Sequence, residues 1–236
     1  MELILARHGE VNIDNEVKKI LKIKCADKEP TGHMKLDRLD DIELSDSGKE
    51  QANLLGKWLQ GEYKIDVFYS SKLRRARETS DIVNNYLNLP IIFKDELREA
   101  TFYIPDFLSR WSSPFQFGKI LEDSNSIVRG FIKEKNFKVD NLRLKKDKAR
   151  QTYEIFRSKI EKIIKEIIVK NWDRTVLIIA HGGVIGTIIR NIIGRHDITI
   201  KIDFTAVSKF SWIKEYNRWQ IDFLNKIDHL STALSN

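Results

Sequence analysis

The chain is notable first for what it has little of. It carries one cysteine, Cys25, in 236 residues. No internal disulfide can form, which fits a reducing compartment. No stretch approaches the roughly 20 consecutive apolar residues of a membrane-spanning helix. The N-terminal apolar run is too short for the core of a secretion signal and has no basic leader. The expected location is therefore the cytoplasm. There is no internal repeat and no low-complexity tract. Recognisable nucleic-acid-binding motifs are absent, and the basic residues are interleaved with acids. No short ligand spacing of the metal-binding kind occurs.

What is present is an ordinary globular composition. Hydrophobic residues make up 42% and charged residues 32%, enough for a sizeable core. The formal net charge is +7 and the sequence pI is about 9.3. Much of this is a solvated lysine-rich surface, but a positive balance also suits an anionic partner such as a phosphate ester.

Short apolar runs alternate with longer helical patterns. Glu2 to Ala6 reads as a strand. Ser45 is a plausible N-cap for a helix over Asp46 to Gln60, with Ala52, Leu55, Trp58 and Leu59 on one broad face. Ile65 to Tyr69 reads as a strand and Lys72 to Leu87 as a helix ended by Asn88 and Pro90. Pro90 to Phe93 is a short strand candidate. Arg150 to Lys170 is the strongest helix, with seven large apolar residues from Ile155 to Ile168 at helical spacing. Thr175 to Ala180 is an almost wholly apolar strand. Gly183 to Ile193 looks helical and Gly194 can end it. Ala206 to Ile213 and Arg218 to Leu224 look like a closing strand pair around a Lys-Glu-Tyr-Asn turn.

This βαβα order predicts an α/β fold: a three-layer sandwich, a mostly parallel central sheet with helices on both faces. Residues 1–236 form a single domain in this reading. Two segments, about 11–40 and 100–148, break the rhythm and read as insertions forming an irregular or helical cap or lid.

Three strands end alike. Leu3 to Ala6 runs into Arg7-His8-Gly9. Asp66 to Tyr69 runs into Ser70-Ser71, then Arg74-Arg75. Val176 to Ala180 runs into His181-Gly182-Gly183. Ligands of open α/β sheets bind beyond the carboxyl ends of the strands. Parallel neighbours would therefore bring two imidazoles and several guanidiniums to one rim. Such a rim suits a phosphoryl group. Guanidinium forks match phosphate oxygens and keep their charge. A helix opening at Gly182-Gly183 favours an anion. A neutral imidazole can attack phosphorus, and a carboxylic acid can protonate the leaving oxygen.

Five stretches carry a resemblance. They are Leu5-Ala6-Arg7-His8-Gly9-Glu10, Leu44-Ser45-Asp46-Ser47-Gly48-Lys49-Glu50-Gln51-Ala52, the run from Ser70 to Thr79, Leu97-Arg98-Glu99, and Ala180-His181-Gly182-Gly183. In this order the chain resembles the histidine phosphatase superfamily, the phosphoglycerate-mutase-like phosphatases. The resemblance implies that His8 is the nucleophile that becomes phosphohistidine. It implies that Arg7, Arg75 and His181 hold the phosphoryl oxygens and that Glu99 is the general acid, making His8, Glu99 and His181 the catalytic set. It implies no metal and no cofactor. Gly9, Asn12, Asn15, Arg98, Tyr103 and Gly182 are candidate substrate-binding residues.

The chain departs from the family pattern after the first motif. Val11 stands where a threonine is usual, and Asn12 and Asn15 are both near the usual asparagine without clear register. Glu16 to Leu36 is longer than the usual connection. Ala100 to Pro105 replaces the stretch expected after Glu99, where Glu10 or Asp106 could compete as the acid. His33, Lys35 and Arg38 could reach over the pocket. Phe102, Tyr103, Phe107 and Trp111 could line it. Arg74 and Arg77 should point elsewhere, and His196 and His229 read as surface residues. A metal site of His8, His181 and Glu99 is disfavoured by the neighbouring arginines.

The expected activity is a metal-independent phosphomonoester phosphatase acting on a small phosphorylated metabolite and releasing inorganic phosphate. The partners in this reading are that substrate and product, with no nucleic acid and no membrane. The oligomeric state stays open, a homodimer being one candidate. The alternatives are a phosphomutase of the same superfamily and, in a different class, a non-catalytic phospho-ligand-binding module.

Overall fold

The computed structural model describes residues 1–12, 42–99, 140–196 and 198–231, with side chains from Tyr153 onward in the third stretch. In chain order the elements are β1 (Glu2–Arg7), α1 (Asp46–Glu62), β2 (Val67–Ser71), α2 (Arg74–Leu87), β3 (Ile91–Lys94), α3 (Asp140–Lys170), β4 (Thr175–Ala180), α4 (Gly182–Ile193), β5 (Val207–Ile213), β6 (Arg218–Lys226) and the short α5 (Asp228–Ser231).

The strands form one sheet in the order β3-β2-β4-β1-β5-β6. β3, β2, β4 and β1 are parallel, whereas β5 and β6 are a closing antiparallel hairpin. The sheet is thus mixed, parallel over the strands that matter for the site.

Alternation along the strands builds two cores. Leu3, Leu5, Tyr69, Val176 and Ile178 face Ile160, Ile163 and Ile167 of α3 and Val184, Ile185 and Ile188 of α4. Ile4, Ala6, Phe68, Leu177 and Ile179 face Leu55 and Leu59 of α1 and Ala76 and Val83 of α2. Helices therefore cover both faces, as the three-layer expectation required.

The connectivity creates a crevice. From β1 the chain leaves through α1 on one face and reaches β2 on one side of the sheet. From β4, the neighbour of β1, it leaves through α4 on the other face and reaches β5 on the opposite side. The carboxyl ends of β1 and β4 flank this switch point, where an open α/β sheet binds its ligand.

Local signals explain most boundaries. The Ser45 Oγ accepts from the Gly48 N–H at 3.0 Å and caps α1. Asn88 and Gly194 end α2 and α4 in the left-handed conformation. Other boundaries moved. α2 starts at Arg74 because Leu73 is its extended N-cap residue. β2 begins at Val67 and runs on to Ser71, in register with Lys94 of β3. α3 begins at Asp140 instead of Arg150. Its first turns are rich in Lys, Arg and Leu, good helix formers that leave little apolar periodicity. The second irregular segment, expected over 100–148, therefore gives way to helix from residue 140.

Residues 13–41 and 100–139, which hold most of both expected insertions, lie outside the described residues. Among those described, no helix is long and apolar enough to cross a membrane.

Candidate active site

β1 delivers His8 to the switch point. The strand pairs with β4 as far as Arg7, and the His8 N–H still donates to the Ala180 carbonyl at 3.0 Å. The residue is 4% exposed. Its Nδ1 lies 2.7 Å from the Gly9 carbonyl oxygen. A carbonyl only accepts, so Nδ1 carries the proton. The Arg75 Nε–H donates to His8 Nε2 at 3.3 Å. A guanidinium only donates, so Nε2 presents its lone pair. Two independent partners thus select the same neutral tautomer. Burial, and then the charges of Arg75 and Arg7, push the imidazole well below its ordinary pKa.

The close approach of Gly9 to α1 holds this arrangement. A Cβ on Gly9 would overlap the Gly48 carbonyl oxygen, and one on Gly48 would overlap the Glu10 carbonyl oxygen. Both positions need glycine for space. The Gly9 N–H donates to Thr79 Oγ1 at 3.0 Å, and Thr79 Oγ1 donates to the Arg75 carbonyl at 2.7 Å. The loop carrying His8 and the helix carrying Arg75 are therefore bonded to each other.

Arg7 approaches from β1. Its Nη1 donates to the Ile202 carbonyl at 2.6 Å, and its guanidinium carbon sits 4.1 Å from the centre of the Phe204 ring. Glu99 and Asp203 supply opposing charge against the cost of burial. Its Nε is buried with no partner among the described residues.

β4 delivers His181, fully buried, with its ring centre 5.1 Å from that of His8. His181 Nε2 lies 2.8 Å from Ser71 Oγ at the end of β2. Its Nδ1 is buried with no partner among the described residues. Burial, followed by Arg75, His8, Arg7 and Arg98, holds the ring well below its ordinary pKa.

Glu99 lies on the same rim. Its Oε2 accepts from the Gly183 N–H at 3.2 Å in the first turn of α4. The anion-favouring helix N-terminus expected at Gly182-Gly183 is thus met here by Glu99. Gly182 lies against Arg7: a Cβ there would sit 3.7 Å from its Nε. Glu10 is engaged elsewhere, since its Oε1 accepts from Ser45 Oγ at 2.9 Å.

Arg98 is partly exposed and pairs with Asp95 at 3.5 Å. Arg74 pairs with Glu43 at 2.6 Å and with Glu78 at 2.7 Å. Asn12 is exposed, and its N–H donates to the Glu43 carbonyl at 3.0 Å. With the Val11–Leu44 bridge and the 3.0 Å Ser45 N–H bond to the Glu10 carbonyl, this brings residues 10–12 against 43–45. The residues that flank the first expected insertion are thus brought together. Asn15, Tyr103, His33, Lys35, Arg38, Phe102, Asp106, Phe107 and Trp111 lie outside the described residues.

Several contributors had no sequence signal. Phe204 packs on Arg7 and, at 5.8 Å, on His8. Thr205 adopts φ 52°, an unusual backbone for a β-branched residue. Its N–H donates to the His8 carbonyl at 3.2 Å, and its Oγ1 lies 3.0 Å from His229 Nε2. His229, expected at the surface, is 2% exposed. α5 folds its ring against Trp58, 5.7 Å away. His196 is half-buried and hydrogen-bonds Tyr153 at 3.0 Å. Ser71 was visible only as part of a polar strand end.

Chemically, the rim offers one imidazole lone pair, two fixed cations, a second neutral imidazole and a carboxylate. Among the described residues, no group of three or more His, Cys, Asp and Glu side chains is placed to hold a metal ion.

The chain resembles known proteins in sequence and in fold. The family model of the histidine phosphatase superfamily (branch 1) matches residues 3–104 and 130–226. The uncharacterized phosphatase PhoE of Bacillus subtilis (strain 168) is 32% identical over 98 residues, 42% of each chain. Phosphoserine phosphatase 1 of Hydrogenobacter thermophilus is 29% identical over 134 residues, covering 49% of this chain and 63% of that protein. The matched stretches thus span less than two thirds of these relatives' lengths. Among solved structures, Bacillus stearothermophilus YhfR superposes with a TM-score of 0.60 at 18% identity, covering 97% of this chain and 98% of that one. A phosphoserine phosphatase mutant of Entamoeba histolytica, solved in complex with phosphoserine, gives 0.56 at 18% identity and the same coverage. The structural likeness speaks for the fold, the family match for descent: the chain belongs to the histidine phosphatase superfamily.

Proposed function

We propose that the protein is a metal-independent phosphomonoester phosphatase that works through a phosphohistidine on His8. The observation that carries this reading is the double constraint on His8: the Gly9 carbonyl holds the proton on Nδ1, and Arg75 donates to the lone pair of Nε2.

The substrate phosphoryl group enters between the guanidiniums. Arg7, Arg75 and His181 take its non-bridging oxygens, and Arg75 leaves His8 Nε2 to do so. Nε2 attacks phosphorus in line. The bond to the leaving oxygen breaks, its electron pair goes to that oxygen, and protonated Glu99 supplies the proton. Water then attacks the phosphohistidine while the Glu99 carboxylate accepts a proton from it. The P–N bond breaks, the electron pair returns to Nε2, and phosphate departs. Two guanidiniums provide the fixed positive field for the charge that develops, the role a metal plays elsewhere. His8 keeps its Nδ1 proton throughout.

The substrate class is a small phosphorylated metabolite. The supporting point is that the residues flanking the first expected insertion, 10–12 and 43–45, are brought together. In this reading the chain is one domain, and the segments 11–40 and 100–148 cap the pocket and select the part of the substrate beyond phosphorus.

The test is a turnover screen without added metal against phosphorylated sugars, hydroxy acids, amino acids, nucleotides and phosphopeptides, read as phosphate release. Wild type should release phosphate from at least one small compound, unaffected by EDTA, and His8→Ala should not. Equal release by both would overturn the nucleophile assignment. Isomerised product without free phosphate would make the protein a mutase.

A further inference from the structure

Ser71 ends β2 and is fully buried. Its Oγ lies 2.8 Å from His181 Nε2 and 3.3 Å from the Leu73 backbone nitrogen. A hydroxyl has one proton and two lone pairs. The Leu73 N–H can only donate, so it occupies a lone pair. Among the described residues, the acceptor within reach of the Ser71 proton is His181 Nε2. If Nε2 carried the proton instead, the Ser71 hydroxyl would be left with no acceptor in a buried site, a costly arrangement.

We propose that Ser71 is a positioning residue: it donates to His181 Nε2 and so fixes the proton of the neutral ring on Nδ1, making that atom the hydrogen-bond donor to the phosphoryl group. This rests on the phosphoryl-binding reading given above. His181 Nδ1 is buried and has no partner among the described residues, and a phosphoryl oxygen would supply the acceptor it lacks.

The two imidazoles then carry the same tautomer to opposite ends. Both are protonated on Nδ1. His8 spends that proton on the Gly9 carbonyl and presents the Nε2 lone pair. His181 spends its Nε2 lone pair on Ser71 and presents the Nδ1 proton. One ring attacks phosphorus and the other binds its oxygen. Charge alone would not choose this, because the nearby guanidiniums favour lone pairs facing them. A dedicated donor is needed, and Ser71 is that donor. Since burial and Arg75 keep His181 uncharged, the tautomer rather than the charge is what Ser71 has to set.

The test is nitrogen-15 NMR of the histidine rings near pH 7.5, with His181 assigned by comparison with His181→Gln, together with titration by inorganic phosphate. In wild type, His181 should show a protonated Nδ1 and an unprotonated Nε2. Ser71→Ala should move the proton toward Nε2, leave the His8 tautomer unchanged and weaken phosphate binding about tenfold. Ser71→Thr, which keeps the hydroxyl, should restore both. A wild-type His181 protonated on Nε2, or an unchanged tautomer and affinity in Ser71→Ala, would overturn the proposal. If Ser71→Ala fails to fold, the wild-type spectrum decides alone. A wild type that binds no phosphate would instead overturn the phosphoryl-binding reading.

Discussion

Arg75 Nε and His8 Nε2 lie 3.3 Å apart, with the guanidinium donating to the imidazole lone pair. The cation thus rests on the atom that attacks phosphorus in the proposed reaction. In that proposed reaction an arriving phosphoryl group would take over this hydrogen bond, freeing the lone pair and leaving the charge already in place.

Arg75 and its neighbour Arg74 should therefore behave differently. Arg75→Ala removes a buried donor aimed at the reacting group and should lower kcat by about 10²- to 10³-fold. Arg75→Lys should recover only part of this, because an ammonium lacks the planar fork. Arg74 is 42% exposed and bonded to Glu43 and Glu78. Arg74→Ala should cost less than about 1 kcal/mol of stability and leave kcat within about twofold. Steady-state kinetics and urea denaturation of both variants check the contrast.

The pH dependence of activity follows from the same contacts. Burial first, then Arg75 and Arg7, lowers the His8 pKa. The neutral nucleophile should persist well below pH 6.5, the ordinary value. In kcat/KM profiles, loss of His8 to protonation should appear far on the acid side. Arg75→Gln removes one repelling charge, so the pKa should rise and the acid limb should move up in pH. Ring titrations of His8 by NMR give the same answer directly.

Stability should also fall with acid. His8, His181 and His229 all have lowered folded-state pKa values, His229 to about 4. Between each folded value and the unfolded value near 6.5, the unfolded chain binds more protons than the native one. Stability from these groups is complete above that window and is lost as pH falls through it. Urea midpoints should decline from pH 7 to pH 5. His229→Gln should reduce the slope.

The paired glycines should tolerate no side chain. Gly48→Ala would place a methyl into the Glu10 carbonyl, and Gly9→Ala would do the same at the Gly48 carbonyl. Each should destabilise by about 1–3 kcal/mol or more. Each should also lower kcat, because the close approach of the Gly9 backbone to α1 holds the segment that carries His8. Thermal denaturation with parallel kinetics measures both effects.

The pattern of what was legible in the sequence has physical causes. Apolar alternation and runs located β1, β4 and the cores of α1, α2 and α4. Ser45, Asn88 and Gly194 announced helix ends because caps have local chemistry. The repeated strand-end motif anticipated that Arg7, Arg75, His8 and His181 would share a rim, since parallel neighbours share a carboxyl end. Phe204, Thr205 and His229 could not be found this way. Phe204 and Thr205 meet Arg7 and His8 through a loop with a left-handed threonine, and His229 meets Thr205 from a short helix packed on Trp58; neither contact has a local signature. The charged start of α3 hid its first ten residues from any periodicity. Asn15 and Tyr103 lie outside the described residues.

The central claim is that His8 carries the phosphoryl group, and rapid-quench trapping tests it most directly. Wild type mixed with para-nitrophenyl phosphate and quenched within one turnover should yield an acid-labile, base-stable phosphoryl adduct on the His8 peptide by mass spectrometry. His8→Ala should yield neither adduct nor p-nitrophenol above background. Release of p-nitrophenol by His8→Ala at the wild-type rate, with no phosphoryl group on His8 at any quench time, would contradict the account.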